Sequence, residues 1–512
     1  GIILSMWEHF QEGVKPHADI APPAPARDLS QKWFDPQWRA EYLDWYVAHS
    51  SLMADMLPVA NTQLGPGSLA AILGGVFEGG EDTIWIHPDP NFNDEIVFNP
   101  EHPNWLLHKE LLKACKAKAN GNYFVGMPDL MEGLDVLAAL KGTDMVLLDT
   151  VMQSEVLEQQ MQQINDIYFK VFDELYDIIR EGDEMAFCYF SSWAPGKMSK
   201  LQSDISTMIS QDDYRRFVQP FIREQCQKID YTLYHLDGVG AMHHLPALLE
   251  IEELNAIQWT PGVGEPQGGS PKWYDLYKKI LAGGKSVMAC WVTLEELKPL
   301  LDHIGADGVH LEMDFHNERE VEQAMRIIEE YTGSSSSVSA DVHTNQPVGE
   351  QDNAQESIRI REEKSQEEDR MKPLYDAIVA GKLEPAVEVT KDAIAAGVLP
   401  QDIINGYMIT AMGEVGQRFQ DGKAFVPQLL MAGRAMKGAL ELLKPLLAGN
   451  ASATIGKIVI GTVKGDLHDI GKNLVASMLE GCGFEVINIG IDVTCDKFVE
   501  AVKENKADIL CM

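Results

Sequence analysis

The stretch GKIVIGTVKGDLHDIGKNLVASMLEGCGFEVINIG, residues 456–490, decides the fold of the C-terminal part of the chain. GKIVIGTV predicts a buried strand, KGDLHD a turn, IGKNLVASMLEGCG a helix and FEVINIGID a second strand. A helix over 494–506 and a strand over 507–512 continue the alternation. This order predicts a Rossmann-like, doubly wound parallel sheet over residues 451–512. Because three strands leave an open edge, we expect this domain to continue beyond Met512.

The turn after the first strand carries the candidate ligand-binding residues, since parallel sheets bind ligands at the carboxyl ends of their strands. These candidates are Gly465, Asp466, His468, Asp469, Ile470 and Gly471. Asp466 can accept a hydrogen bond from one imidazole nitrogen of His468, which leaves the other nitrogen free for a metal. In the alternative interpretation, an aspartate caps the helix and the histidine is a solvated loop residue.

Residues 371–450 have apolar residues at helical spacing and no convincing strand. The segments AGKLEP, GVLPQD and DGKAFVP divide this region into four helices. The pattern predicts a small antiparallel four-helix bundle directly before the sheet.

The first part of the chain alternates short strand-like runs with helical patterns over about 300 residues. The runs are YFVGMPD (123–129), MAFCYFSSW (185–193), YTLYHLDG (231–238), AIQWTPG (256–262), SVMACWV (286–292) and DGVHLEM (307–313). This α/β alternation predicts a (β/α)8 TIM barrel over residues 28–332. Active sites of such barrels lie at the carboxyl ends of the strands.

Two segments fall outside the predicted domains. Residues 1–27 precede the alternating pattern, and we expect them to form an N-terminal extension. Residues 333–370 are rich in serine and then polar and charged, with little apolar material to bury, so they predict a flexible linker.

Composition excludes some partners and locations. A formal net charge of −36 disfavours binding to nucleic acid and to anionic lipid, both of which require clustered Lys and Arg. The seven cysteines are widely scattered and form no CxxC pair, which indicates a reducing cytoplasm. The sequence contains no signal-peptide pattern and no apolar run of ~20 residues, so we expect neither secretion nor a membrane span.

The motif GDLHDIGKN (465–473), behind a helical module that contains FVPQLLMAGRAMKGAL, resembles the cobalamin-binding modules of corrinoid proteins and methionine synthase. The resemblance covers residues 371–512. It implies that His468 is the lower axial ligand of cobalt, that Asp466 tunes its protonation, and that the helical bundle caps the upper face of the cofactor. Two further motifs of that family, which line the pocket for the nucleotide tail, are absent from these residues.

The segments LPVANTQLGPGSLAAILGG, GMPDLMEGLDVLAALKG and MISQDDYRRFVQPFIREQC resemble the uroporphyrinogen decarboxylase superfamily, across residues 28–332. That superfamily contains decarboxylases and also methyltransferases that work with corrinoid proteins. Fusion to a corrinoid module favours the methyltransferases, and the domain order is similar to that of the chloromethane methyltransferase fusion.

His235 and Asp237 are the candidate catalytic residues of the barrel. They lie at i and i+2 on one strand and therefore project to the same side. In related methyltransferases His-x-Cys and a later Cys hold zinc; here Asp237 replaces the first cysteine. Glu312 and His310 lie nearest to the place of the second, with Cys290 one strand earlier. The resemblance thus implies a Zn²⁺ site of His235, Asp237 and Glu312. A proton-donating or substrate-orienting pair, and a purely structural pair, are the alternatives.

A second set of residues is expected near the strand ends, either in the pocket wall or in the core: Trp193, Met198, Asp204, Trp259 and Trp291. Asp129 and Asp204 are also candidate helix caps. His243 and His244 follow the strand-end loop and are expected to start the next helix.

Together these features predict a cytoplasmic methyltransferase that moves a methyl group between a small methylated substrate and the cobalt of its own corrinoid. The implied partners are a second methyltransferase or a folate or thiol methyl acceptor, and a reductive activator of cobalt. The alternatives are a decarboxylase of the porphyrinogen type with an accessory cobalamin domain, and a cobalamin-binding sensor.

Overall fold

The structure is a computed structural model. It describes residues 1–6, 19–50, 52–80, 83–89, 92–190, 192–262, 264–315, 317–332, 362–447, 456–464, 470–481 and 484–512. The chain divides into two compact units, Gly1–Ser337 and Val338–Met512.

The N-terminal unit combines short strands with helices. Its strands are β1 Ile2–Met6, β2 Val59–Ala60, β3 Val76–Gly79, β4 Ile84–His87, β5 Phe124–Met127, β6 Met185–Phe187, β7 Trp193–Ala194, β8 Met198–Leu201, β9 Tyr231–Asp237, β10 Ala256–Thr260, β11 Ser286–Val292 and β12 Val309–Met313. Its α-helices are α1 Leu29–Phe34, α2 Pro36–Ala48, α3 Ser68–Ile72, α4 Pro103–Ala119, α5 Gly133–Lys141, α6 Thr143–Met152, α7 Ser154–Ile179, α8 Gln211–Phe217, α9 Gln219–Lys228, α10 Leu245–Leu249, α11 Tyr274–Ala282, α12 Leu294–Ile304 and α13 Glu318–Thr332. Three 3₁₀-helices follow strands or loops: Asp204–Met208, Val239–His244 and Pro271–Trp273.

A six-stranded parallel sheet forms the centre of this unit, in the order β1-β12-β11-β10-β9-β8. Strand β9 is buried along one face, at Thr232, Tyr234 and Leu236, whereas His235 and Asp237 on the other face are only half-buried. His235 lies opposite Gln258 of β10, and Gln258 lies opposite Met288 of β11.

Strand β1 differs from the expectation that residues 1–27 form an extension outside the fold. Ile2–Met6 pairs with Val309–Met313 along its whole length, and Leu4 is buried. The apolar run IILSM is long enough to cover the outer edge of β12, which explains its place in the sheet.

The strands of the N-terminal unit form more than one sheet. Strands β2, β5, β6 and β7 form a four-stranded sheet in that order; β7 runs antiparallel to β6. An antiparallel hairpin of β3 and β4, which the sequence analysis did not predict, forms a further sheet. Among the described residues no strand pairing joins the six-stranded and four-stranded sheets, so the described strands do not form a closed barrel.

The C-terminal unit begins with helices, which are α14 Glu362–Val379, α15 Leu383–Ala395, α16 Pro400–Ile403, a π-helix Ile404–Met408, α17 Ile409–Gln420 and α18 Val426–Leu447. Their core contains Leu374, Ile378, Ile403, Met436 and Leu443, all buried. Gly381 ends the first helix with φ +65°, and a Cβ there would meet Met431 at 2.5 Å. A residue without a side chain is therefore required at this turn.

A three-stranded parallel sheet follows, with β13 Lys457–Ile460 between β14 Glu485–Asn488 and β15 Ile509–Cys511. Helices α19 Ile470–Gly481 and α20 Cys495–Asn505 connect the strands. Val459 and Phe498 belong to the core of this sheet. None of the described helices of either unit is both long enough and apolar enough to cross a membrane.

Candidate functional site

A cluster of three polar side chains lies at the carboxyl ends of the strands of the N-terminal unit. Asp237 is the last residue of β9, His235 precedes it on the same side, and Asp204 opens the 3₁₀-helix that follows β8. One ligand atom of each residue lies within 4.8 Å of the others. Two carboxylates and one imidazole at this separation form a donor set that can hold a divalent cation.

The orientation of His235 is fixed by Gln258. The Gln258 side-chain oxygen is hydrogen-bonded to Nδ1 of His235, and its amide nitrogen donates to Oγ1 of Thr260 at 2.8 Å and Sγ of Cys290 at 3.1 Å. Because an amide oxygen only accepts, Nδ1 carries the proton and Nε2 is the basic nitrogen. Burial, with the charge of Lys200, lowers the pKa of His235 to about 3, so the imidazole is neutral and able to bind a metal at neutral pH.

Asp204 is held in place by its neighbours. Its Oδ2 accepts a hydrogen bond from Nε2 of Gln202 at 3.0 Å, and its backbone N–H donates to Asp135 at 2.9 Å. Asp204 is exposed to solvent. Its pKa is nevertheless raised to about 6, first because surrounding protein atoms exclude water from part of the carboxylate. The charge of Asp237 raises the pKa further, and the charge of Lys200 lowers it. The carboxylate is therefore accessible on one side and closely surrounded on the other, and we call the space that Asp204, His235 and Asp237 border the cleft.

Carboxylates outnumber cations around this cleft. Lys200 forms a buried ion pair with Asp129 at 2.6 Å. Burial raises the pKa of Asp237 and also that of Glu132, the latter to about 7. Asp129, a residue expected at a strand end, therefore has a structural partner, and the cleft has an acidic character that suits a cation.

Glu312 does not belong to the three-residue cluster. Its carboxyl is hydrogen-bonded to Cys290, and Oε2 lacks a hydrogen-bond partner among the described residues. Burial raises its pKa to about 7. Of the predicted ligand set of His235, Asp237 and Glu312, the structure brings His235 and Asp237 together with Asp204 instead of Glu312, because the loop after β8 reaches the end of β9.

The other predicted side chains have different surroundings. Trp259 is buried and packs edge-on against Trp273, with 5.0 Å between the ring centres, so it is a core residue. Met198 is buried and Trp193 is exposed. His244 and His243 are hydrogen-bonded through Nε2 to the backbone oxygens of Ser206, at 2.8 Å, and Ile209, at 3.1 Å, which indicates a structural role.

Gln258 and Lys200 are the important neighbours that sequence reasoning missed. A polar Gln inside the apolar run AIQWT is a signal for an inward-facing hydrogen bond, since a buried amide needs partners. Lys200 carried no comparable signal, because its partner Asp129 lies far away in the sequence.

The candidate cofactor site of the C-terminal unit lies after β13. Gly465, Asp466, His468 and Asp469 are outside the described residues; Ile470 and Gly471 are the first two residues of α19. The chain leaves the central strand here, between β14 on one side and β15 on the other. That position is the topological switch point where doubly wound sheets bind ligands.

The described residues around this switch point fit a ligand site. A Cβ on Gly461 would meet Cγ1 of Ile489 at 2.8 Å, so glycine permits the close turn after β13. Nζ of Lys472 donates to Oδ1 of Asn488 at 3.0 Å and connects the start of α19 with the end of β14. These two contacts connect the described elements at the carboxyl edge of the sheet.

The helical bundle packs against α19. Met478 of α19 contacts the cluster of Val415, Leu429 and Ala432, and Lys437 of α18 forms an ion pair with Glu480 at 3.2 Å. The bundle and the sheet thus share an apolar contact that covers one face of α19.

Comparison with known proteins concerns the C-terminal unit. Residues 371–444 match one family and residues 456–512 a second, and each family is described as a B12 binding domain. Trimethylamine corrinoid protein 1 of Methanosarcina mazei is 44% identical over 137 residues, which are 26% of this chain and 63% of that protein. The dimethylamine corrinoid protein of Methanosarcina barkeri is 42% identical over 144 residues, 28% of this chain and 67% of that protein.

Among solved structures, the methanol:cobalamin methyltransferase complex MtaBC of Methanosarcina barkeri is similar at 31% identity and a TM-score of 0.25. The match covers 30% of this chain and 61% of that one. The chain spans less than two thirds of the length of the trimethylamine relative.

Proposed function

Because this chain belongs to the corrinoid protein family through its B12-binding residues 371–512, we propose that it is a corrinoid-dependent methyltransferase with carrier and active site in one polypeptide. The family match confirms the corrinoid cofactor that the sequence predicts. The proposed reaction moves a methyl group between a small methylated substrate and that corrinoid. The observation that carries the proposal is the Asp204–His235–Asp237 cluster at the carboxyl end of a parallel sheet in the same chain.

For residues 28–332 we propose a (β/α)8 barrel of the uroporphyrinogen decarboxylase type. In each of the two larger sheets, parallel neighbours follow the order of the chain. They are β2, β5 and β6 in one sheet and β8 to β12 in the other. This succession supports a barrel. The acidic cleft disfavours a porphyrinogen decarboxylase, whose substrate carries many carboxylates and requires Arg or Lys.

For the C-terminal unit we propose that His468 would hold the corrinoid through its cobalt ion and that Asp466 would hold the histidine through a hydrogen bond. Bound corrinoid supplies a cobalt ion that accepts a methyl group from one molecule and passes it to another. The position of residues 465–471 between β13 and α19 supports this assignment. The resemblance places the bundle over the upper face of the cofactor, and the bundle packs on the last turn of α19 through Met478 and the Lys437–Glu480 ion pair. We therefore propose that the bundle moves aside during turnover.

For the cleft we propose that Asp204, His235 and Asp237 hold a divalent cation, Zn²⁺ in the first instance. Three protein ligands leave a coordination position for the substrate, which is the arrangement of catalytic zinc sites. A Lewis acid there would stabilise the heteroatom that loses the methyl group. Gln258 fixes the ring of His235 in the orientation that leaves Nε2 for the metal.

The partners belong to the same proposal. The relatives are named as trimethylamine and dimethylamine corrinoid proteins. We propose that this chain similarly works with a methyl acceptor, namely a second methyltransferase, a folate or a thiol, and with a reductive activator of cobalt. A cytoplasmic location is supported by the scattered, unpaired spacing of the seven cysteines.

The test is a panel of methyl donors offered to the reduced, corrinoid-loaded protein. Methanol, a methyl halide, a methoxylated aromatic, a methylated amine and a methyl thiol are each added, and the absorbance of the corrinoid is followed. We expect one class to change the spectrum. No change with any donor, and none with methyl acceptors after chemical methylation of the corrinoid, would favour a cobalamin-binding sensor instead.

A further inference from the structure

The N-terminal unit contains a cavity of about 420 Å³ at the end of the sheet opposite the Asp204–His235–Asp237 cluster. The first residues of four neighbouring parallel strands, Met198, Tyr231, Ala256 and Ser286, line it. Asp237, by contrast, is the last residue of β9. The cavity and the cluster therefore lie at opposite ends of the same strands.

A layer of packed side chains separates the cavity from the cluster. Leu233 and Met288 line the cavity and belong to a buried apolar group with Cys290. Phe190 packs on this group and also contacts the ring of His235, with 6.3 Å between the ring centres. Protein interiors are close-packed, so open space of this size next to packed side chains requires an explanation.

The mouth of the cavity exposes large apolar side chains. Ile3 is 50% exposed, Trp193 40% and Tyr231 41%, and all three line the cavity. Side chains of this size are normally buried, and a concave surface bordered by them is typical of a ligand site. The volume is near the lower end of the range of small-molecule sites, which suits a single substituted ring.

The lining also indicates which chemistry would be bound. Phe190, Trp193 and Tyr231 offer aromatic faces, and Met56 and Met288 offer polarisable sulfur, a combination that favours an aromatic ligand. Among the described lining residues none is Lys or Arg, and Asp55 is the carboxylate present, so an anion is disfavoured.

One polar pair lies inside the cavity. Oγ of Ser5 is 2.7 Å from Nε2 of His310, and both residues line the cavity. Burial lowers the pKa of His310 to about 4, so the ring is neutral at neutral pH. A neutral serine–histidine pair can exchange hydrogen bonds with one hydroxyl group but offers no charge to a ligand.

We propose that this amino-end cavity is a second ligand site, distinct from the methyl-transfer cleft, that binds a small neutral aromatic alcohol of the substituted-phenol class. The ring lies among the aromatic and methionine side chains, and the hydroxyl meets the Ser5–His310 pair. The site does not depend on the corrinoid or on the metal cluster.

The first experiment measures binding of 4-ethylphenol to the full chain by titration calorimetry. We expect one saturable site with a Kd of ~1 mM or lower. Ala256→Leu and Ser286→Leu fill the cavity from two strands and are expected to weaken binding at least ~10-fold, whereas Ala117→Leu, at an exposed position of α4, leaves it unchanged. Tryptophan fluorescence and metal content verify that each variant is folded.

The second experiment tests the polar pair. Ser5→Ala is expected to weaken the binding of 4-ethylphenol about 5- to 10-fold, which is the contribution of one hydrogen bond. The binding of ethylbenzene, which has no hydroxyl group, should be unaffected. The proposal is overturned by the absence of saturable binding, by filled variants that bind as well as the wild type, or by a Ser5→Ala effect that is equal for both ligands. Binding that requires His235 rather than Ala256 would assign the ligand to the cleft and would also contradict it.

Discussion

His235 derives its properties from its neighbours rather than from its position in the sequence alone. Gln258 fixes the proton on Nδ1, and burial keeps the ring neutral. Asp204 and Asp237 then supply negative charge within 4.8 Å. A neutral imidazole between two carboxylates is better suited to holding a cation than to transferring protons near pH 7.

If Asp204, His235 and Asp237 hold the metal, variants of Asp204 and Glu312 should differ in their zinc content. Asp204→Asn and His235→Ala should abolish stoichiometric zinc, because each removes one of the three donors. Glu312→Gln should retain zinc, since Glu312 contacts Cys290 instead. Metal content after dialysis, measured by mass spectrometry, decides this, with the exposed residue His303→Ala as the matched control. Loss of zinc in Glu312→Gln with retention in Asp204→Asn would restore the set predicted from the sequence.

The buried carboxyl of Glu312 should make the free energy of unfolding of the N-terminal unit depend on pH. Burial raises its pKa from 4.5 to about 7, so between these values the folded state binds more protons than the unfolded state. The free energy of unfolding therefore falls as the pH rises from 4.5 through 7. Glu312→Gln stays neutral and should be more stable than the wild type by up to ~3 kcal/mol at pH 8, but by less than ~1 kcal/mol at pH 5.

Urea titrations followed by tryptophan fluorescence measure this difference. All ten tryptophans precede residue 292, so the signal reports the N-terminal unit. Glu110→Gln, at an exposed position of α4, is the control and should show no such trend. An equal pH slope in Glu312→Gln and the wild type would mean that Glu312 is not responsible.

Part of this site could be predicted from single residues. His235 and Asp237 share one side of a strand because side chains alternate, and this needs only local sequence. Asp204 was recognised as a strand-end residue but not as their partner, because its approach depends on how β8 pairs with β9. Gln258 was missed since its hydrogen bond to His235 crosses between strands.

Strand β1 shows how an element can be misjudged from composition. The polar and proline-containing residues after it suggested an extension, yet Ile2–Met6 pairs with β12 and Leu4 is buried. The backbone N–H of Leu4 also donates to Oδ2 of Asp55 at 2.9 Å, which fixes the outer side of the strand.

Two neighbouring residues of β1 should differ in their effect on stability. Leu4→Ala removes a buried side chain and should lower the free energy of unfolding of the N-terminal unit by ~2–5 kcal/mol. Ile3→Ala, at a half-exposed position, should cost less than ~1 kcal/mol. Urea titration by tryptophan fluorescence measures both. Equal, small effects would indicate that residues 1–27 lie outside the fold, as the sequence analysis expected.

Helices were easier to predict than sheet edges. The breaks at AGKLEP, GVLPQD and DGKAFVP coincide with the ends of α14, α15 and α17, because glycine and proline act locally. The β3–β4 hairpin was missed, since its runs are only four residues long. Periodicity over four residues does not distinguish a strand from a loop.

The whole chain joins two compact units, Gly1–Ser337 and Val338–Met512. The sequence predicted a linker over residues 333–370, of which residues 333–361 lie outside the described residues. The sequence also predicted that the strands of the first unit close into a barrel, but closure depends on pairing between β6 and β8 and at the edge of β1, which local patterns do not specify. The described strands form separate sheets there.

Joining the units should accelerate transfer between them. If residues 333–370 form the flexible linker that the sequence predicts, the effective concentration of one unit at the other is on the order of 1 mM. If residues 1–337 and 338–512 are produced separately and mixed at micromolar concentration, the first methyl transfer should be at least ~10-fold slower than in the intact chain and should increase with concentration. Stopped-flow absorbance of the corrinoid measures the rate. Equal, concentration-independent rates would show that the units associate tightly without the connection.

We propose that the N-terminal cleft methylates the corrinoid bound by the same chain. The most direct measurement is a single turnover, with the donor identified from the panel, in wild type and in His235→Ala loaded with equal amounts of corrinoid. We predict methylation in the wild type and a rate at least ~100-fold lower in His235→Ala with unchanged corrinoid content. Equal rates in the two proteins would contradict the account.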